Sequence, residues 1–152
     1  MFLAAYREGL NGNSPIYQAL SFHKILEGAT KFHTNRVRAA KKRGEAAPAD
    51  PMARQIPVDP DGLADVTVWS RDNFMPYLGK SFAEIRDAVT DTIRNAVAHI
   101  SLNMDLRIAD YAADIQACRT ITPVLRYMVR DLIHEELASL SGADPSASSP
   151  AA

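Results

Sequence analysis

Cysteine is scarce in this sequence, because Cys118 is the one cysteine among 152 residues. An internal disulfide is therefore excluded, and cysteine ligands cannot complete a zinc site within one chain. A single thiol is typical of a reducing compartment, so we expect a cytoplasmic protein. Long apolar runs are also missing: no stretch reaches the roughly 18 uncharged residues of a membrane helix. Arg7 and Glu8 interrupt the opening segment, which is unlike a signal peptide, and we expect no membrane contact.

An excess of charge of one sign is missing as well. The 17 Lys and Arg residues balance 18 Asp and Glu residues, for a formal net charge of -1. No overall positive field therefore draws the chain to nucleic acid, and any such binding requires a local patch. Hydrophobic residues (47%) and charged residues (23%) are close to the averages of globular proteins. The length suits one domain with a real core.

Three segments have the apolar spacing of helices. In residues 14 to 43, Ser14 is a candidate cap, Pro15 suits the first helical position and Gly44 ends the helix. Ser81 and Glu84 fit a capping box that opens a second helix, which runs as far as residue 99 or 100. The last helix extends from about residue 113 to 140, and Pro123 is expected to kink it or mark a restart.

The segment between the first two of these helices, about residues 44 to 80, is rich in proline and glycine, which excludes a continuous helix. We expect a long irregular connector, in which Val66, Val68 and Trp69 form a short extended piece. Residues 141 to 152 are rich in Ser, Ala and Pro and predict a disordered tail. The chain is thus predicted to be all-α, an antiparallel bundle of about four helices over residues 1 to 140.

The most informative polar residues lie near the end of the second helix. Helical spacing places Asp91, Asn95 and His99 on one face, and Arg94 lies about 100° from Asn95 around the axis. Arg94 and His99 are therefore not stacked in one straight helix, and joint action requires a bend, a shared ligand or a second chain. Since dimers are the commonest closed assemblies, we expect a homodimer.

The sequence Arg94-Asn95-Ala-Val-Ala-His99 resembles the motif of HEPN domains, an arginine and a polar residue followed by a spaced histidine. HEPN domains are all-α bundles that often act as metal-independent ribonucleases. Residues 14 to 28 and 123 to 129 resemble the first and last helices of the methylamine-utilisation MauJ-like proteins within that broader group. The chain is short for a MauJ-like protein, so an upstream domain or an accessory protein partner is expected.

The resemblance implies a metal-independent endoribonuclease. His99 would act as general acid or base on RNA, Arg94 would stabilise the charge on the phosphate, and Asn95 would orient either group. No metal or cofactor is implied, because the nucleophile is the 2′-OH of the RNA. Two alternatives stay open: Arg94 pairs with Asp91 or Asp87 for a structural reason, or the domain is a non-catalytic dimerisation or partner-binding accessory module. Whether the chain is an enzyme is left undecided.

Several weaker candidates stand beside this site. A basic run at the end of the first helix offers contacts to RNA phosphates, although the helix dipole also favours positive charge there; it consists of Arg36, Arg38, Lys41, Lys42 and Arg43. Three arginines of the last helix are expected in exposed ion pairs: Arg119, Arg126 and Arg130. A metal site is not expected, because the chain lacks the Glu-x-x-His motifs of di-iron bundles, but four residues keep the alternative open: His23, Glu27, Asp131 and His134.

Overall fold

The computed structural model describes residues 2 to 63, 66 to 102 and 108 to 141. These residues form helices and no strand, which confirms the all-α prediction. The α-helices are α1 (Phe2–Asn11), α2 (Pro15–Arg43), α3 (Val68–Arg71), α4 (Phe82–Leu102) and α5 (Ile108–Ser141). Three 3₁₀ turns lie in the connector: Pro51–Ala53, Pro60–Leu63 and Asp72–Tyr77. Within the described ranges, no helix is long and apolar enough to cross a membrane.

The arrangement of the long helices follows from the residues that meet. His23 of α2 contacts Thr90 of α4, and Thr30 contacts Arg86, so α2 and α4 are antiparallel. The hydroxyl of Thr122 in α5 lies 3.5 Å from the Pro15 carbonyl at the start of α2. Farther along both helices, Ala29 and Leu132 line one cleft, so α2 and α5 run in the same direction. The bundle is therefore up-down-up, with sequential long helices antiparallel.

Helix α1 is an element that the sequence analysis did not predict. Ten residues are too few for a stable isolated helix, so packing must hold it. The ring of Tyr6 lies 5.7 Å from that of Phe22 in α2, and Gly9 is buried against the same ring. A Cβ atom at Gly9 would lie 2.5 Å from the Phe22 ring, which is closer than van der Waals contact permits. Glycine at this position thus allows α1 to approach α2.

Helix α2 begins and ends where the sequence predicts, and most of the predicted capping is confirmed. Pro15 is the first helical residue, and Gly44 caps the C-terminus with a left-handed φ of 69°. The backbone N–H groups of Gly44 and Glu45 donate to carbonyls of the last turn. The Ser14 side chain makes no capping hydrogen bond, so that part of the prediction is wrong. The Ser14 carbonyl instead accepts from the Gln18 N–H at 3.0 Å, as in an ordinary first helical turn.

Helix α4 begins with the predicted capping box. The Ser81 N–H donates to the Glu84 carboxylate at 2.8 Å, and the Glu84 N–H donates to the Ser81 hydroxyl at 3.3 Å. The helix ends at Leu102, two or three residues beyond the prediction.

Helix α5 is longer than predicted and does not restart at Pro123. It begins at Ile108, five residues before the expected start, and is continuous through Pro123. Proline removes one backbone hydrogen bond, and packing of α5 against α2 and α4 compensates for that loss. Residues 103 to 107, which precede α5, and the predicted tail after Ser141 lie outside the described residues.

The connector folds onto the bundle instead of looping away from it. Its buried side chains join the core formed by α2, α4 and α5; they are Met52, Ile56, Leu63 and Phe74. Backbone hydrogen bonds join it to the start of α4, where the Phe82 N–H donates to the Arg54 carbonyl at 2.7 Å. The predicted extended piece is wrong: the Ser70 N–H donates to the Thr67 carbonyl at 2.8 Å, which closes the helical turn of α3.

Candidate functional site

Arg94 and Asn95 are both exposed on α4, as the sequence predicts for polar residues of an amphipathic helix. The side chain of His99 lies outside the described residues, so its distance from Arg94 is not defined. Arg94 borders two adjoining depressions between α2 and α4, which we call the α2–α4 groove. The polar residues of this groove are His23, Lys24, Glu27, Thr30, Lys31, Arg86, Asp87, Thr90, Asp91 and Arg94.

Arg94 does not form the ion pair that the structural alternative requires. Asp87 accepts hydrogen bonds from the neighbouring Arg86, through Nε at 2.9 Å and Nη2 at 2.6 Å. Among the described residues, neither Arg94 nor Asp91 has an ion-pair or hydrogen-bond partner. The guanidinium of Arg94 therefore keeps its donors available to a ligand or to another chain.

His23 is a buried polar side chain on the α2 wall of the groove, with 3% of its surface exposed. Its Nε2 atom lies 2.9 Å from the Thr90 hydroxyl oxygen, and that oxygen lies 2.7 Å from the Arg86 carbonyl oxygen. The direction of the His23–Thr90 hydrogen bond depends on which ring nitrogen carries the proton, since the Thr90 hydroxyl can either accept from Nε2 or donate to it. Nδ1 lies 3.9 Å from the Glu27 carboxylate.

The surroundings of His23 favour the neutral ring. Burial lowers the pKa of His23 below its ordinary value, and the positive charges of Arg94 and Arg86 lower it further. The nearby carboxylates of Glu27 and Asp87 act in the opposite direction but do not reverse the shift. At neutral pH the groove therefore contains an uncharged imidazole close to the positive charge of Arg94.

A second hydrogen bond across the groove fixes the two helices in register. Nη1 of Arg86 donates to the Thr30 hydroxyl at 2.5 Å, and Thr30 donates to the Leu26 carbonyl at 3.0 Å. The contacts of Thr30 with Arg86 and of Thr90 with His23 could not be predicted from the sequence, because they depend on the register of α2 against α4. From the sequence alone, His23 is a candidate only for a metal site.

The basic run of α2 is exposed along its length. Arg43 is engaged locally, with Nε and Nη2 each donating to the Glu45 carboxylate at 2.7 Å. The guanidinium of Arg36 lies 6.0 Å from the Phe32 ring. RNA contact by Arg36, Arg38, Lys41, Lys42 and Arg43 stays a prediction, and Arg43 contributes least because its charge is balanced.

The four residues of the metal alternative do not come together. Asp131 accepts a 2.5 Å hydrogen bond from Arg54, whose Nε also lies 3.4 Å from Glu135. The part of the chain that the structure describes contains no group of three or more His, Cys, Asp or Glu residues suited to a metal ion. Cys118 is fully buried, and burial raises the pKa of its thiol to about 11, as expected of a core thiol.

The fold and the groove define a class of protein: an all-α helical bundle whose polar α2–α4 groove contains a neutral histidine and an exposed arginine. The profile of the family described as methylamine utilization protein MauJ matches residues 2 to 134. The chain therefore belongs to the MauJ family, which confirms the resemblance to MauJ-like proteins. No curated protein and no solved structure matches the chain significantly. The wider assignment to HEPN domains stays a prediction.

Proposed function

We propose that residues 1 to 140 form an accessory module of methylamine utilisation, which self-associates and presents the Arg94 surface of α4 to a partner protein. Membership of the MauJ family supports the pathway. The single observation that supports this surface is Arg94, an exposed cation with no ion-pair or hydrogen-bond partner in the part of the chain that the structure describes. Asp91, which also has no partner among the described residues, lies one turn away, so the surface offers both charges to a complementary partner.

Charge reversal tests this proposal in a methylamine-utilising host that carries the gene. Arg94→Glu should slow growth on methylamine and leave growth on ammonium and another carbon source unchanged, because a rim charge controls partner association. Arg119→Glu is the matched control, since Arg119 is also exposed and has no ion pair among the described residues. Unimpaired growth on methylamine after deletion of the gene would exclude the accessory role.

A metal-independent endoribonuclease acting as a dimer is the second candidate. The guanidinium of Arg94 favours it, because no carboxylate of the described residues pairs with it, and a group that stabilises charge in the transition state must not be neutralised. The role of His99 comes from the resemblance to HEPN domains. Within this candidate, Arg94 of one chain and His99 of the other line a composite cleft, and Asn95 orients the histidine or the phosphate.

Cleavage assays in EDTA test the second candidate. The products should end in 2′,3′-cyclic phosphate, and His99→Ala should lose about 10²-fold or more in rate. Arg94→Ala should lose about 10²- to 10³-fold, while Arg119→Ala retains the wild-type rate. Circular dichroism should show folded variants, and light scattering should report a dimer. A strictly monomeric mass, or full activity of His99→Ala, would rule out this mechanism.

A further inference from the structure

The charges of the α2–α4 groove follow a regular order along its length. On the α2 wall, Glu27 lies between Lys24 and Lys31. On the α4 wall, Asp91 lies one turn from Arg94. Because α2 and α4 are antiparallel, Lys24 and Arg94 lie at the same end of the groove. The groove is thus acidic near its centre and basic at both ends.

These charges are open to a partner. Four exposed side chains of the groove have no ion-pair or hydrogen-bond partner among the described residues; they are Lys24, Lys31, Asp91 and Arg94. Glu27 is half exposed, and its carboxylate lies 3.9 Å from the His23 ring, too far for a hydrogen bond. Since that ring is neutral, Glu27 also keeps its charge. The two walls, residues 24 to 31 and 86 to 94, are described throughout.

The floor of the groove is apolar beside Arg94. Leu20 and Val97 are partly buried against the core, and Ile93 is fully buried. All three line the same depression as Arg94. Exposed ion pairs alone stabilise a complex weakly, whereas a partner that also covers this floor gains from apolar burial.

The acidic centre disfavours two kinds of occupant. A strand of RNA would bring its phosphates against Glu27 and Asp91, and charges of the same sign repel. A second copy of this chain, docked groove to groove about a two-fold axis at the centre, would bring two acidic centres together. The favoured occupant is therefore a different chain with positive charge at its centre.

The interval between the charges matches the repeat of a helix. Neighbouring charges on each wall are three or four residues apart, which is a rise of about 4.5 to 6 Å. A helix lying lengthwise in the groove presents side chains at this same interval. Residues on one side of an extended strand are about 6.6 Å apart and lose register with the groove.

We propose that the α2–α4 groove binds a helix of a partner protein whose docking side carries a basic residue between two acidic residues, each one turn away. The basic residue meets Glu27 and Asp91, and the acidic residues meet Lys31 at one end and Lys24 with Arg94 at the other. An apolar residue beside the second acidic residue covers the floor. This inference rests on the proposed function, because it specifies the partner of the Arg94 surface.

Fluorescence anisotropy of the full chain with two labelled, alanine-rich peptides of about 18 residues tests the proposal. The first peptide contains Glu-x-x-x-Lys-x-x-x-Glu with a leucine beside each Glu, and the second has every charge reversed. At about 50 mM ionic strength, the first should bind with a Kd of about 0.1 mM or tighter. The second should bind about tenfold more weakly or worse. General attraction to a chain of net charge -1 would instead favour the second.

A charge exchange locates the binding in the groove. Arg94→Glu should weaken binding of the first peptide about tenfold, and replacing one Glu of the peptide by Lys should recover most of that loss. Arg119→Glu makes the same charge change on α5 outside the groove and should alter affinity less than about twofold. Circular dichroism should show that both variants are folded.

The proposal would be overturned by equal affinity for the two peptides, by no recovery in the charge exchange, or by displacement of the first peptide by an RNA of equal length. These outcomes are separate from those of the growth test. A growth defect of Arg94→Glu with no discrimination between the peptides would retain the accessory role and reject the helix. Discrimination between the peptides with unimpaired growth after gene deletion would retain the helix and reject the accessory role.

Discussion

At the scale of single residues, the protonation of His23 in the groove makes the stability of the fold depend on pH. Its pKa is lowered in the folded chain by burial, with further contributions from Arg94 and Arg86. The unfolded chain therefore binds this proton at a higher pH than the folded chain does. The stability that the neutral His23 ring contributes to the fold is fully present above the ordinary imidazole pKa. It is lost as the pH falls from that value to the lowered pKa of His23 in the folded chain.

Thermal unfolding between about pH 7.5 and about pH 5 measures this effect. The wild-type Tm should fall on acidification, and His23→Gln should fall less, because glutamine keeps a hydrogen bond to Thr90 but does not titrate. His134→Gln is the control, since His134 is exposed and the variant should retain the wild-type slope. Parallel pH profiles for wild type and His23→Gln would contradict the assignment.

The exposure of Arg94 and Asn95 could be predicted at this scale, because the polar side of an amphipathic helix faces away from the core. The partners of His23 could not be predicted. The contact with Thr90 joins residues 67 positions apart, and its existence depends on the register of α2 against α4. Periodicity gives the buried side of each helix but not the residue opposite each position.

At the scale of elements, Gly9 controls the distance between α1 and α2. Gly9→Ala should lower the free energy of unfolding by about 1 to 2 kcal/mol, because the clash with the Phe22 ring exceeds the gain in helix propensity. Chemical denaturation measures this change. Gly28→Ala is the matched control, since its Cβ would lie 3.1 Å from Phe2 near the chain start, where a small shift relieves the contact.

The control variant should be neutral or more stable than wild type by up to about 1 kcal/mol. Equal stabilisation by Gly9→Ala and Gly28→Ala would show that the Gly9 backbone has more space than the structure gives it. Elements whose signals are local in the sequence were predictable, and the element that depends on tertiary contacts was not. The capping box at Ser81 and the glycine cap at Gly44 are local chemistry, whereas α1 exists because Phe22 and Tyr6 meet across two helices.

At the scale of the whole molecule, the number of long helices was predictable from their apolar spacing, and an antiparallel bundle is a common arrangement of sequential long helices. The connector was less predictable. Its prolines excluded a long helix, but its helical turn at α3 and its burial of Phe74 depend on the surface that α5 provides. Tertiary contacts thus decided the structure wherever local preferences were weak.

The parallel contact between α2 and α5 also constrains how the protein is made. Val129 and Ile133 belong to the same buried core as Ile16 and Leu26, more than 100 positions earlier in the chain. During synthesis, the apolar side of α2 is therefore not fully covered until α5 has left the ribosome. Until then the nascent chain exposes apolar surface that is buried in the folded protein, and such surface favours aggregation.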